Sequence, residues 1–180
     1  MAEARSINIT EAAKMLRAEL KRRWPQVKFS VRSEKYSMGS HMNVAWIDGP
    51  TQRAVEEVAN AYSGARFDGS NDSTYYVSSW LLPAGLAVAA TRDADGYRRG
   101  TVTPAPQAEA ELVRFSGSQP DCHREISACY EAACEKAWNG LTEQERATLQ
   151  RHDRFSQCDG YTDGYKLALF FDAAEVLRRP

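Results

Sequence analysis

Two short runs of alternating apolar and polar residues constrain the fold of this 180-residue chain most strongly. In residues 27–32 and again in residues 42–46, every second side chain is apolar. Because successive side chains of a strand point to opposite faces, this period predicts two half-buried strands. The polar, glycine-containing stretch Ser33–Ser40 between them predicts a loop, so the second strand returns antiparallel to the first.

A helix is predicted just before this pair of strands. Asn8 followed by Glu11 is typical of a capping box, in which the first side chain accepts hydrogen bonds from the opening turn. Residues 9–20 then repeat apolar side chains at helical spacing, which indicates one buried stripe. Pro25 disfavours helical backbone at Trp24, so the helix is expected to end there.

The middle of the chain predicts a second helix and further strands. Asp48–Pro50 is typical of a sharp turn, and Thr51 is a natural N-cap for a helix whose buried stripe lies within residues 55–62. Residues 74–82 predict a third strand, and residues 110–115 predict a last strand or a helical turn.

The last third of the chain is predicted to be helical. Residues 91–107 favour a long mobile loop, and Ser116–Pro120 is typical of a linker or domain edge. Behind it, residues 126–137 place apolar side chains on one helical face, Thr142 with Glu145 forms a second capping box, and residues 163–179 carry a strongly apolar face. That last face suits either core packing or a homodimer seam.

Together these patterns predict an α+β protein. We expect a small antiparallel sheet of about three to four strands packed by two helices, with a helical C-terminal extension. The predicted domains are residues 1–115 and residues 116–180, the second packed on the first.

Composition restricts the class of function. Apolar content of 43% and charged content of 26% are ordinary for a folded globular protein. The longest apolar run, residues 81–90, is interrupted by Pro83 and Gly85 and is too short to cross a bilayer, and no secretory signal follows Met1. These features predict a soluble protein in the bacterial cytoplasm without a membrane partner.

Positive charge is concentrated at the N-terminal end, although the net charge is only −1. Residues 1–35 hold nine Lys or Arg residues against four Asp or Glu residues. The excess centres on Lys21, Arg22, Arg23 and Lys28, which suits either a solvated helix end or a phosphate-binding patch. A protein that mimics DNA needs a dense negative surface, which a net charge of −1 does not provide.

The predicted hairpin loop and its flanks hold the densest group of polar side chains. Arg32 suits a carboxylate or phosphate partner, but an internal bond to Asp48 or Glu34 explains it equally well. Tyr36 adds an aromatic contact of the kind found in protein and nucleic-acid interfaces. The predicted binding residues are Arg22, Arg23, Lys28, Arg32, Lys35, Tyr36 and His41.

No pattern in the sequence predicts catalysis, a cofactor or a metal. Ser, His and Asp occur near one another around His41, but the G-x-S-x-G elbow and the glycine-rich phosphate loops are absent from the sequence. The four cysteines do not form the paired C-x₂-C units of a zinc site. Cys122 and Cys129 are instead expected on one buried face of a helix, reduced in the cytosol.

Several segments in the first two thirds of the chain form the pattern of a known family. They are Trp24-Pro25, Phe29-Ser30-Val31-Arg32-Ser33, Tyr36-Ser37 with Gly39, Val44-Ala45-Trp46-Ile47-Asp48-Gly49-Pro50-Thr51, Phe67-Asp68-Gly69 and Ala110-Glu111-Leu112-Val113. In this order and spacing, residues 8–115 resemble a large polyvalent protein-associated domain of phages and conjugative elements. The chain departs from the usual pattern after Gly69, where polar residues replace a more apolar stretch.

The resemblance implies a protein of mobile elements that counters host defences, and it brings no catalytic motif with it. With the short length of the chain, it suggests a stand-alone inhibitor, such as an anti-CRISPR or anti-restriction protein, that binds a host defence complex. The alternative is an accessory protein that binds transferred nucleic acid, as the basic N-terminal third suggests.

Overall fold

The computed structural model describes residues 4–95, 97 and 100–144 of the chain. These residues divide into two compact units. The first contains residues up to Trp46 together with Gln52–His123, and the second contains Ile47–Thr51 and the described residues from Arg124 onward. The predicted division at residue 115 stays a prediction. Two further predictions involve residues outside the described part. They are the capping box of Thr142 with Glu145, and the apolar face of residues 163–179 with the homodimer seam predicted for it.

Helix α1 spans Ile9–Arg23 and begins as the sequence predicts. The side-chain oxygen of Asn8 accepts hydrogen bonds from the backbone amides of Thr10 and Glu11, both at 3.0 Å. This satisfies donors that the first helical turn leaves unpaired. The helix ends at Trp24, whose amide bonds the carbonyl of Leu20, and Pro25 follows.

Strands β2 (Ser30–Tyr36) and β3 (Gly39–Ile47) form an antiparallel hairpin directly after α1. Tyr36 pairs with Gly39, so only Ser37 and Met38 remain in the turn. The predicted loop over Ser33–Ser40 is therefore wrong, and β2 begins later than predicted. After Val31 the side chains on both faces of β2 are exposed or half-exposed, so this part of the strand is polar without alternation and is easily taken for a loop.

Helix α2 (Gln52–Ala59) follows the turn after β3 and begins directly after Thr51. A 3₁₀ turn, Asn60–Tyr62, extends it, and the predicted buried stripe is confirmed. The stripe consists of Val55, Val58, Ala59 and Tyr62.

The remaining strands form several small sheets rather than the single sheet that the sequence predicts. They are β1 (Arg5–Ile7), β4 (Ala65–Asp68), β5 (Ser73–Tyr76), β6 (Ser79–Leu81), β7 (Ala87–Ala89), β8 (Thr91–Arg92), β9 (Thr101–Val102), β10 (Glu111–Phe115) and β11 (Asp121–Glu125). The orders are β1-β10-β6-β7, β11-β3-β2, β4-β5 and β8-β9. The β1–β10 pair is parallel, so the sheets are not purely antiparallel.

Two predicted boundaries within the first unit are corrected. The single strand over residues 74–82 is two strands, because the chain leaves β5 at Val77 and joins another sheet at β6. Part of the predicted loop over residues 91–107 is ordered as the β8–β9 pair. The strand alternative for residues 110–115 is confirmed as β10, which lies between β1 and β6.

The segment after residue 115 is not purely helical. Strand β11 precedes helix α3 (Ala128–Asn139), and the predicted linker Ser116–Pro120 is bonded into the first unit through its first three residues. Cys122 is buried in β11 and Cys129 is exposed in α3, so they do not share a helical face. Only Cys122 and Arg124 are buried in β11. Two alternating positions are too few to distinguish a strand from a helix in the sequence.

The core of the first unit lies under α1 and α2. It combines the buried faces of both helices with the inner face of the hairpin and the centre of the four-stranded sheet. Tyr62 is fully buried, and its hydroxyl donates to the Gly85 carbonyl at 3.1 Å and accepts from the Ala87 amide at 3.3 Å. Burial raises the pKa of Tyr62 to about 12, which keeps this hydroxyl neutral.

Gly64 lies where three chain segments meet. Its amide donates to the Gly117 carbonyl at 3.0 Å, and its own carbonyl accepts from the Val77 amide at 2.9 Å. A Cβ atom built on Gly64 would lie 1.7 Å from the Phe115 carbonyl oxygen, which is far inside van der Waals contact. Only glycine therefore allows this backbone crossing.

We expect Gly64→Ala to lower the free energy of unfolding by about 3 kcal/mol, because the added methyl group meets backbone that cannot move aside. Urea denaturation of the full chain measures this loss. Gly69→Ala is the matched control, since its Cβ would meet nothing closer than 3.8 Å. A Gly64→Ala protein as stable as the Gly69→Ala protein would contradict the crossing.

Candidate functional site

The outward face of the β2–β3 hairpin brings together three of the predicted binding residues. The register places Arg32 opposite Asn43, Glu34 opposite His41, and Tyr36 opposite Gly39, all on the face away from the buried Val31, Met42 and Val44. We call Arg32, Glu34, Tyr36, His41 and Asn43 the outer hairpin face.

His41 holds this face together. Its Nε2 atom lies 3.1 Å from the Asn43 amide nitrogen and 4.0 Å from the Glu34 carboxylate. Its ring lies 5.8 Å from the Tyr36 ring, centroid to centroid, at an angle of 51°. These contacts join both strands, so the side chains are positioned before any partner arrives, which lowers the entropic cost of binding.

Tyr36 lies across the hairpin over Gly39. A Cβ atom at Gly39 would be 3.3 Å from the Tyr36 ring, tighter than ordinary contact, so glycine leaves room for the aromatic side chain. Tyr36 is nevertheless 54% exposed, and Met38 at the turn is 94% exposed. Exposed Tyr and Met side chains beside an Arg are typical of protein interfaces.

Arg32 has neither of the internal partners that the sequence offered as an alternative. It is exposed, and its guanidinium makes no hydrogen bond or ion pair with residues that the structure describes. Asp48 instead accepts from Ser127, at 2.8 Å from the backbone amide and 2.7 Å from the hydroxyl. The Arg32 side chain is therefore available to a carboxylate or phosphate.

The other predicted binding residues lie elsewhere. Lys35 pairs with Ser40 and therefore belongs to the opposite face of the hairpin, and Lys28 precedes β2. Arg22 and Arg23 close the last turn of α1 and bond the buried Glu19 carboxylate, at 2.7–2.8 Å and 2.5 Å. A partner that binds Arg22 or Arg23 must share them with Glu19.

The turn at Asp48–Pro50 is held by Arg124, a residue that the sequence patterns did not mark as functional. Within the second unit, Arg124 is 3% exposed and donates to the carbonyls of Asp48 and Gly49, at 3.3 and 2.9 Å. Its guanidinium also lies 5.3 Å from the centre of the Tyr130 ring. Both turn residues have positive φ, 56° and 66°, so these bonds stabilise an uncommon backbone. In the sequence, the role of Arg124 is marked only by a charged residue at a position where strand β11 is buried.

The first unit also contains a concave surface that the sequence did not reveal. A cavity of about 450 Å³ extends from Tyr36 and Met38 of the hairpin to Tyr76 and Arg114. A second cavity, of about 550 Å³, shares Tyr76 and Arg114 and continues toward β8 and β9. Among the described residues, Arg114 is the one charged residue common to both linings, and only its place on an exposed strand position marks it in the sequence.

Groups suited to chemistry are sparse among the residues that the structure describes. No cluster of three or more His, Cys, Asp or Glu side chains there suits a metal ion. Burial raises the pKa of the Cys122 thiol to about 12, so it remains protonated and is a poor nucleophile at neutral pH. No helix in the described ranges is long and apolar enough to cross a membrane.

Comparison with known proteins identifies the family. The sequence model of large polyvalent protein associated domain 29 matches residues 7–103. The chain belongs to this family. Domains of this kind are associated with the polyvalent proteins of phages and mobile elements, as the resemblance implied. The match contains α1, the outer hairpin face and α2. No curated protein and no solved structure matches the chain.

The Glu19 cluster makes a testable contribution to stability. Hydrogen bonds from Arg22 are the main cause that lowers the pKa of Glu19 below its ordinary 4.5, against an opposing effect of burial. Because the folded pKa lies below the unfolded one, the stabilisation is present above about pH 4.5 and is lost as the pH falls through the folded pKa. We expect Glu19→Gln to lower stability at pH 7 and to flatten the acid limb of the stability curve.

Thermal denaturation between about pH 3 and pH 7 measures this effect. Glu57→Gln is the matched control, because Glu57 pairs with Arg53 at 3.1 Å on the exposed surface of α2, where ion pairs contribute little. Parallel curves for the wild-type protein and Glu19→Gln would contradict a stabilising role of the Glu19 carboxylate.

Proposed function

We propose that this protein is an anti-defence protein of a phage or plasmid that inhibits a host CRISPR or restriction complex by direct binding in the host cytoplasm. It acts without catalysis. The observation that carries the proposal is the outer hairpin face, which presents Arg32 and Tyr36 on a rigid strand pair inside the family match. Tyr and Arg are the residues that most often dominate binding energy in protein interfaces.

Contact through side chains is favoured over addition of a partner strand. Strand β2 is an edge of its sheet, and an edge is open to pairing with another chain. Arg17 of α1, however, donates to the Val31 carbonyl at 2.5 Å, which occupies an acceptor in the first half of the edge. A partner is therefore expected to bind the outer hairpin face and the exposed Met38 rather than extend the sheet.

Affinity purification of the tagged full chain from a lysate of the host, with nuclease present, tests the proposal. We expect a subunit of a defence complex to be retained. The double variant Arg32→Ala/Tyr36→Thr is expected to weaken its binding by about thirtyfold, because two exposed anchors are lost. Lys35→Ala, on the opposite face, is expected to bind like the wild-type protein. Equal retention by the double variant would show that the outer hairpin face is not the contact surface.

A biological readout accompanies the binding assay. Expression of the protein is expected to raise phage plating on a host with an active defence system and to leave plating unchanged on a host without it. The double variant is expected to lose this effect. Protection that persists in the double variant, or that appears without a defence system, would contradict inhibition through this surface.

The second candidate is a nucleic-acid-binding accessory protein that acts on transferred DNA. The specific observation that favours it is a group of exposed cations without described ion-pair partners, which includes Lys28, Arg32 and Arg114, in a unit that also exposes tyrosines. It predicts binding to DNA whose affinity falls steeply with salt, since each phosphate contact releases counterions. Fluorescence anisotropy with labelled oligonucleotides at rising salt measures the slope. A flat salt dependence would remove this candidate.

A further inference from the structure

The larger of these two cavities in the first unit has the volume of a small-molecule site and is open to solvent. Its volume is about 550 Å³, within the range of about 300–1,000 Å³ that is common for ligand pockets. Strand β5 provides Thr74, Tyr75 and Tyr76 on one side, and Thr91 and Tyr97 line it further along. The lining therefore combines aromatic rings with hydroxyl groups, which suits a planar ligand that also carries polar atoms.

Arg114 supplies a positive charge at the cavity that no described carboxylate neutralises. Its guanidinium forms no hydrogen bond or ion pair with the described residues, whereas the nearby Glu111 is held by Arg5 through two bonds, at 2.6 and 2.9 Å. Asp95, the one acidic residue among the described lining residues, accepts a hydrogen bond from the Tyr97 amide at 2.8 Å. The planar guanidinium of an arginine without an ion-pair partner matches the geometry of a phosphate group.

The tyrosines present their rings to solvent instead of to the core. Tyr76 is 74% exposed and Tyr97 is 88% exposed. Large exposed side chains grouped around a concave surface mark binding sites more often than chance exposure does. Beside an arginine, such rings provide the stacking surface on which nucleobases bind.

We propose that this cavity binds a nucleoside phosphate, with the base stacked on Tyr76 and the phosphate on Arg114. The smaller cavity shares Thr74, Tyr76 and Arg114 with the larger one. The concave surface therefore extends beyond Arg114, where the phosphate is proposed to bind. The ligand is therefore either a free nucleotide or one unit of a single strand. The proposal does not depend on the anti-defence function, because the outer hairpin face contributes only Tyr36 to the smaller cavity and nothing to the larger one.

Isothermal titration of the full chain with the four nucleoside monophosphates, adenosine, inorganic phosphate and a single-stranded oligothymidylate tests the proposal. We expect at least one monophosphate or the oligonucleotide to bind more tightly than inorganic phosphate. A monophosphate that binds as tightly as the oligonucleotide identifies a free nucleotide as the ligand. A preference for the oligonucleotide that weakens with salt identifies a strand.

Three variants at cavity residues and two control variants assign the binding to the cavity. Arg114→Ala is expected to weaken binding about tenfold or more, through the lost phosphate contact. Tyr76→Thr is expected to weaken it about tenfold, and Tyr76→Phe, which keeps the ring, restores it. Lys14→Ala and Phe67→Thr are the controls, because they remove an exposed cation and an exposed ring that do not line the cavity.

Two results would overturn the proposal. One is that neither nucleotides nor the oligonucleotide bind more tightly than inorganic phosphate. The other is that Arg114→Ala binds as well as Lys14→Ala while both proteins melt at the wild-type temperature. The Arg114→Ala protein is expected to retain the defence subunit in the affinity purification. That result would show that the cavity and the anti-defence surface are different sites, independently of the titration.

Discussion

The fold of the first unit depends on the close backbone crossing at Gly64. There the chain leaves the 3₁₀ turn after α2 and passes against the Phe115 carbonyl, so near that no side chain fits between them. The same residue bonds Gly117 and Val77, which ties the segment after β10 to the connection between β5 and β6. Because backbone hydrogen bonds buried in a core must all be satisfied, losing this crossing exposes several unpaired groups at once.

The segment that follows Phe115 joins the hairpin to the four-stranded sheet. Ser116 donates its amide to the Ile7 carbonyl at 2.7 Å, and Ser118 donates to the Ser40 carbonyl at 3.1 Å. The second of these bonds attaches the start of β3, next to the hairpin turn, to the segment that follows β10. The inner residues Val31, Met42 and Val44 of the hairpin are packed in the core, which holds the strand pair that presents the outer hairpin face.

The family match and the folded unit do not have the same limits. The match ends at residue 103, whereas β10 begins at Glu111. In the four-stranded sheet, β10 lies between β1, of which only Ile7 is matched, and β6, which lies wholly within the match. One of the two inner strands of this sheet therefore comes from outside the match. Arg114, which both cavities share, is on that strand. Binding at Arg114 is therefore not implied by the family match, which ends before this strand.

The sequence by itself determined α1, its Asn8 cap, the inner strand positions of the hairpin and the stripe of α2, because these depend on local period and capping. It also placed Arg32, Tyr36 and His41 near one another in the chain. Only the tertiary structure decided that these three share a face and Lys35 does not, since strand register fixes the face of each residue. The separation of β5 from β6, strand β11 and the cavity around Arg114 likewise depend on contacts between residues distant in sequence, which no local pattern records.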